Sequence, residues 1–209
     1  MPLKSKQPRM EPLSPPYDEE AGAALDLLGP SPIQLFRVWA RRPELARSIA
    51  NWGSFYFSRR SALTLRQREL VIDRTTALCG ARYEWAVHVT SFADKAGLDA
   101  AQLDSLATGK PADACWDATD RAVLEAVDEL PGTFDLTDET WASLTAVANE
   151  DVALELTLLC GWYHAISFAV RALRLPPEPG TESIAALIGA AADGTEPGKQ
   201  APATASTAL

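Results

Sequence analysis

Basic residues are in short supply in this chain. Nineteen lysines and arginines stand against 28 aspartates and glutamates, a net charge of −9. No basic face is offered to phosphates, so neither nucleic acid nor an anionic membrane surface is expected as a partner. The one basic stretch, RVWARRPELAR at 37–47, is interrupted by Glu44 and spaced for a solvated helix face. Cysteine is sparse as well. Cys79, Cys115 and Cys160 are odd in number and widely separated, which argues against a disulfide framework and fits a reducing cytoplasm. No apolar run approaches the ~20 residues needed to span a bilayer. Lys4, Lys6 and Arg9 are followed by prolines and acids, not by the apolar core of a signal peptide. β-branched residues nowhere alternate with polar ones over a useful length, so no strand is expected. Histidine occurs twice, at His88 and His164.

What the chain does have is helical periodicity between two proline-rich ends. Residues 1–17 hold five prolines and read as a flexible arm. After Leu175, PPEPG and EPGKQAPATASTAL read as a poorly ordered tail over 176–209, in which TESIAALIGAAAD (181–193) suits a short helix docked on a neighbour. The 209-residue chain is 47% hydrophobic, and the stretch 18–175 is long enough for one buried core. Helices are predicted over 18–28, 31–40 and 43–58. Thr64 caps the next, which Gly80 ends, and another runs from Tyr83 to Ala96, closed by Gly97. Asp99 caps a small helix, 117–130 ends at Pro131-Gly132, Thr137 caps one more with Leu136 as its staple, and a long helix covers 150–173. This is an all-α bundle. The short link at 80–82 makes 65–79 and 83–96 a central antiparallel hairpin.

The hairpin carries the chemistry. Glu84 and His88 are four residues apart, hence on one helix face, among Trp85, Val87, Val89 and Phe92. Glu69, on the preceding helix, falls level with about Ala93 and within two turns of His88 at about 1.5 Å per residue. A carboxylate and an imidazole in apolar surroundings form an acid–base couple whose pKa values approach neutrality. The same spacing is also common in ordinary helix-surface pairs. A metal shared by Glu84 and His88 has no second such pair to complete its shell, so no metal is expected. Cys79 has no neighbouring cysteine to resolve it and reads as a packing residue.

The longer pattern, 63–109, resembles the carboxymuconolactone decarboxylase family, whose broader group includes the AhpD-like alkylhydroperoxidases. The matching elements are Arg68-Glu69, the Tyr-Glu-Trp-x-x-His run at 83–88, and the following AGL with Leu103 and Leu106. Segments 30–57 and 159–179 are similar to the family's flanking helices, so the resemblance covers about 150 of the 209 residues. It implies an AhpD-like helical bundle, a small-molecule substrate and a homotrimer or homohexamer. Redox members carry Cys-x-x-Cys, then three residues, then the histidine, and this chain has Ala81 and Glu84 at the two cysteine positions. Without the thiols a peroxidase mechanism is disfavoured, while Glu69 and His88 match the group's proton-relay pair. The resemblance therefore implies a cofactor-free lyase or isomerase acting on a carboxylated or lactone-type substrate, with Glu69, Glu84 and His88 catalytic. A helical interaction protein without activity is the alternative. In the namesake reaction carbon dioxide leaves an unsaturated lactone, which asks for a cation on the substrate carboxylate, an acid and an apolar wall. Arg74 is the expected cation, though it serves equally as a plain helix-surface arginine. Tyr83 and Trp85 line the pocket or merely pack. Tyr163 and His164 form the opposite wall beside Trp162, whose core role is the simpler one.

Overall fold

A computed structural model describes residues 7–188, and the described residues fold into ten helices without a strand. They are α1 (Glu19–Leu28), α2 (Gln34–Trp39), α3 (Pro43–Tyr56), α4 (Leu65–Leu78), α5 (Arg82–Ala96), α6 (Ala100–Thr108), α7 (Ala118–Thr133), α8 (Asp138–Val147), α9 (Glu150–Leu173) and α10 (Glu182–Ala185). The all-α prediction holds.

Helix α4 is the axis of the fold. Its residues from Arg68 to Thr76 are all buried, because α5, α6, α7 and α9 surround it. Thr64 starts it through a full capping box with Gln67. Gly80 ends it with φ 62°, the left-handed turn that lets the chain reverse. The Ala81 amide then donates to the Thr76 carbonyl at 2.8 Å, and α5 runs back along α4. Gly97 closes α5 in the same left-handed conformation, and Asp99 caps α6. Asn149 starts α9, whose inner face buries Val152, Leu156, Leu159, Tyr163, Ile166 and Val170.

Three features depart from the sequence reading. Helix α7 does not stop at Leu130 but passes through Pro131 to Thr133, where Phe134 closes it at φ 59°. A proline in the last turn removes only one hydrogen bond of an already ending ladder, so the turn survives. Helix α9 is, by length and mean hydropathy, apolar enough to cross a membrane. No single run in it is unbroken, which is why the sequence shows no such span; 44% of its most apolar window lies inside the protein. The proline-rich ends also make defined contacts. The Arg9 amide donates to the Leu173 carbonyl at 2.8 Å, and Leu13 and Tyr17 pack on α1 and α2 around Ala21, Leu25 and Ala40. At the other end, Glu178 Oε1 accepts from the Gln34 amide and from the Tyr83 hydroxyl, each at 2.5 Å. Helix α10 docks on α5, where the Trp85 indole donates to the Ile184 carbonyl at 3.1 Å. The rest of the helix expected at 181–193 lies outside the described residues beyond 188.

Candidate active site

Glu69, Glu84 and His88 meet in the interior where α4, α5 and α9 converge. Glu69 is fully buried and His88 is 4% exposed, and His88 Nδ1 stands 2.8 Å from Glu69 Oε2. The other carboxylate oxygen, Oε1, takes the Arg68 guanidinium at 2.7 Å. On the far side of the ring, Nε2 lies 3.0 Å from the Tyr163 hydroxyl and 3.5 Å from Glu84 Oε1. The two helices cross closely enough that the separation of up to two turns along the axis, read from the sequence, becomes direct contact. Arg68 lies over the Phe57 ring at 4.1 Å, and Phe92 stacks obliquely against His88 at 5.4 Å. Aromatic walls thus enclose the polar cluster.

Electrostatics order the protons. Burial favours the neutral forms of Glu69 and His88, but charge partners outweigh it at both. Glu69 is held below its ordinary value by His88 and Arg68. The His88 imidazole, beside Glu69 and Glu84, is held up at about 10. At neutral pH this is a carboxylate–imidazolium pair, with Nδ1–H donating to Glu69 and Nε2–H facing Tyr163 and Glu84. The sequence led us to expect pKa values near neutrality. The structure corrects that, because Glu69 and Glu84 both come into direct contact with the ring nitrogens of His88. Glu84 Oε2 has no hydrogen-bond partner and is buried, a free carboxylate oxygen beside the imidazolium. Tyr163 is kept protonated by burial and by the surrounding carboxylates.

The other expected site residues lie elsewhere. Arg74 does not reach the cluster. Its Nε and Nη2 grip both oxygens of Asp128 on α7 at 2.6 and 2.7 Å, and Nη1 bonds the Leu106 carbonyl. With its three nitrogens engaged in the core, it is a structural ion pair and not a substrate cation. Tyr83 and Trp85 point to the side of α5 that packs on α2 and α10 and are tied there by Glu178 and Ile184. His164 turns its Nδ1 to the Cys160 carbonyl of its own helix at 2.9 Å. Of the α9 residues only Tyr163 joins the cluster. Trp162 is half-buried at the edge of the core and stacks on the exposed Trp52 with ring centroids 4.7 Å apart. Two participants escaped the sequence reading: Arg68, noted there only as part of a motif, and Asp73, buried one turn after Glu69 with neither carboxyl oxygen partnered. A charged residue amid the apolar neighbours of RELVIDR was the available signal. Among the described residues no three His, Cys, Asp or Glu side chains converge as metal ligands would. Two surface clefts, about 390 and 440 Å³, lie away from the cluster, beside Ser105 and Asp113 and beside Trp141.

Residues 43–129, which include Glu69, Glu84 and His88, match the carboxymuconolactone decarboxylase family. No curated protein matches the chain by sequence. Among solved structures, a peroxidase-related protein from Silicibacter sp. TM1040 is 16% identical with a TM-score of 0.71, covering 86% of this chain and 96% of its own. The debrominase Bmp8, in complex with 2,3,4-tribromopyrrole, is 14% identical with a TM-score of 0.70, covering 89% and 100%. A protein of unknown function from Agrobacterium tumefaciens, for which AhpD-type antioxidant defence has been suggested, is 18% identical with a TM-score of 0.58, covering 66% and 93%. At these identities the likeness speaks for the fold alone. Region 43–129 belongs to the carboxymuconolactone decarboxylase family, and the chain takes the AhpD-like helical fold.

Proposed function

We propose that this chain is a cofactor-free small-molecule lyase or isomerase that moves a proton at carbon on a carboxylated or lactone-type substrate. One observation supports this above all. A buried imidazolium is held by Glu69 on one nitrogen and faces Glu84 and Tyr163 on the other, at the place where redox members of the group carry a dithiol. Ala81 and Glu84 stand at the two cysteine positions, so the same framework handles protons without a thiol. Glu84 Oε2 is the base, His88 Nε2–H is the acid, and Glu69 with Arg68 fixes the ring and its charge. Arg74 plays no part. An apolar surround favours loss of charge as carbon dioxide departs.

The test is a panel of carboxylated γ-lactones incubated in D₂O, with carbon dioxide release and deuterium uptake at carbon followed by mass spectrometry. Wild type should turn over at least one member, and Glu84→Gln should lose that activity while keeping the fold. An inert panel, or a Glu84→Gln variant as fast as wild type, would sink the reading. The three cysteines are free, Cys160 buried and the others partly so, which suits the reducing cytoplasm proposed as the setting. A homotrimer or homohexamer is proposed as the working state. The outer face of α9 leaves Leu154, Leu158 and Phe168 exposed at 60%, 48% and 67%, apolar area that a second copy can cover. Sedimentation showing a stable monomer at micromolar concentration would contradict the assembly.

A further inference from the structure

Two of the three thiols, which the scheme above leaves unused, converge on the second histidine. The Thr75 hydroxyl donates to Cys160 Sγ at 3.6 Å, and Arg171 Nη1–H donates to the Cys79 carbonyl. The contacts advance together along α4 and α9, so these two helices run the same way. Cys79 follows Thr75 by one turn and His164 follows Cys160 by one turn, which brings Cys79 level with His164. The imidazole thus lies against both thiols, with Cys160 Sγ 3.8 Å from its Nδ1. Nδ1–H donates to the Cys160 carbonyl at 2.9 Å, which orients the ring and leaves Nε2 to exchange protons. Hydrogen bonding to Cys160 first, and to Cys79 next, holds the ring up at about 11 against its ordinary 6.5. A cation beside a thiol favours the thiolate, the nucleophilic form. The two thiols differ in access: Cys160 is buried, while Cys79 is only partly so. Arg171 is exposed, and its grip on Cys79 sets the remaining guanidinium donors beside that residue.

We propose that Cys79 is a nucleophilic thiol with His164 as its acid–base partner and Arg171 as its anion holder. It is a covalent modification site for α,β-unsaturated acids and ketones, separate from the Glu69–Glu84–His88 cluster and independent of that reading. The Cys79 proton passes to His164. Sulfur then gives an electron pair to the β-carbon of the ligand, and a carbon–sulfur bond forms. The π pair of the double bond moves toward the conjugated oxygen, whose growing negative charge Arg171 meets with its free N–H groups. His164 hands the proton to the α-carbon, and the oxygen returns to its neutral carbonyl or its original carboxylate. The sum is addition of S–H across a carbon–carbon double bond. Nothing leaves, and no oxidant or reductant is consumed. An alkyl halide or a simple ester would gain less here, since neither offers an oxygen that takes up charge as sulfur attacks carbon.

Cys115 supplies an internal control on the full chain. It is partly buried like Cys79, and both histidines are engaged elsewhere. Two probes are used, trans-3-benzoylacrylate, which carries a carboxylate, and neutral N-ethylmaleimide, with peptide mass spectrometry following each cysteine over time. In wild type, benzoylacrylate should label Cys79 about tenfold or more faster than Cys115, the advantage of a thiol with a positioned base. His164→Gln should bring Cys79 to within about threefold of Cys115, since the amide cannot take the proton. Arg171→Met should slow benzoylacrylate about tenfold and N-ethylmaleimide by less than about threefold, because only the first brings a charge to the guanidinium. Cys79 reacting no faster than Cys115, or just as fast in His164→Gln, would overturn the site. Equal slowing of both probes in Arg171→Met would overturn the preference for acids and leave Arg171 as a clamp on the backbone. An unchanged Cys115 rate and circular dichroism show that each variant is folded, and the comparison of Cys79 with Cys115 needs no variant at all.

Discussion

The two histidines of this chain sit on neighbouring helices, each in an apolar run with an aromatic residue beside it and each held above its ordinary pKa, but by different partners. His88 is buried, with side chains of three other positions at its nitrogens: Glu69, Glu84 and Tyr163. His164 is half-buried, bonds the carbonyl one turn back on its own helix, and presents its ring edge to Phe168. The first meets two carboxylates and a buried hydroxyl; the second bonds its own backbone and lies against the thiols of Cys160 and Cys79. What a histidine can do is set by the partners at its nitrogens, and an aromatic setting alone does not set it.

Replacing each by alanine should separate them most sharply. His88→Ala should slow turnover of a confirmed substrate ~10²–10⁴-fold, the range for a positioned acid–base group. His164→Ala should stay within about twofold, as for a substitution outside the acid–base site. Equal losses in kcat would erase the distinction.

The next largest effect is the removal of Arg74. Arg74→Met strips Asp128 of its partner, whose side chain is only 27% exposed, and should cost about 2–3 kcal/mol in urea unfolding. Its kcat should be unchanged, since the guanidinium lies outside the site. A kcat collapse with little change in stability would restore Arg74 to the chemistry.

The pH dependence sharpens the contrast further. Glu69 and Glu84 hold His88 at about 10 against an ordinary 6.5, so its contribution to stability is fully present below 6.5 and is lost as pH rises toward 10. Glu69 works in the other direction, contributing above its ordinary 4.5 and losing that contribution as pH falls through its lowered folded value. Asp73 opposes Glu69: its fold-bound proton favours the folded state most below 3.8, and the penalty sets in as pH rises past that value. Activity should therefore have an alkaline limb near 10, not near neutrality, and Glu69→Gln should draw that limb down toward 6.5. A limb that stays in place in Glu69→Gln would mean that another group sets it.

The smallest effect is expected from the thiols. Cys79, Cys115 and Cys160 replaced together by alanine should leave activity within an order of magnitude, with packing losses of about 1 kcal/mol per site. Complete loss of turnover in a folded triple variant would bring sulfur back into the mechanism.

Local chemistry was the legible part of this structure. Thr64, Asp99 and Thr137 announce helix starts, and Gly80 and Gly97 announce ends, because each acts within four residues of itself. The three-residue link made the hairpin readable and put Glu69 within two turns of His88, but level with Ala93; the direct contact of 2.8 Å came only with the structure. Arg74 was misplaced because its partner, Asp128, lies 54 positions away on a helix whose rotation no periodicity reveals. Asp73 went unnoticed for a related reason. A helix surrounded on all sides shows no polar face, so a buried acid in it looks like a surface one until the neighbours are in place. Tyr163 and His164 were equally eligible in sequence, and one helical step of about 100° decides which of them enters the site.

Glu178 joins the Gln34 amide to the Tyr83 hydroxyl, the residue next to Glu84, across 95 positions of chain. Translation adds about 5–20 residues per second, so the ribosome delivers this clasp roughly 5–20 s after Tyr83. Until then the start of α5 lacks its outer fastening, although the residues of α4 and α5 have long been synthesised. The nascent chain therefore holds its acid–base residues for seconds before the segment that fastens them exists. A stall between those two points would leave Trp85 uncovered for a chaperone to find.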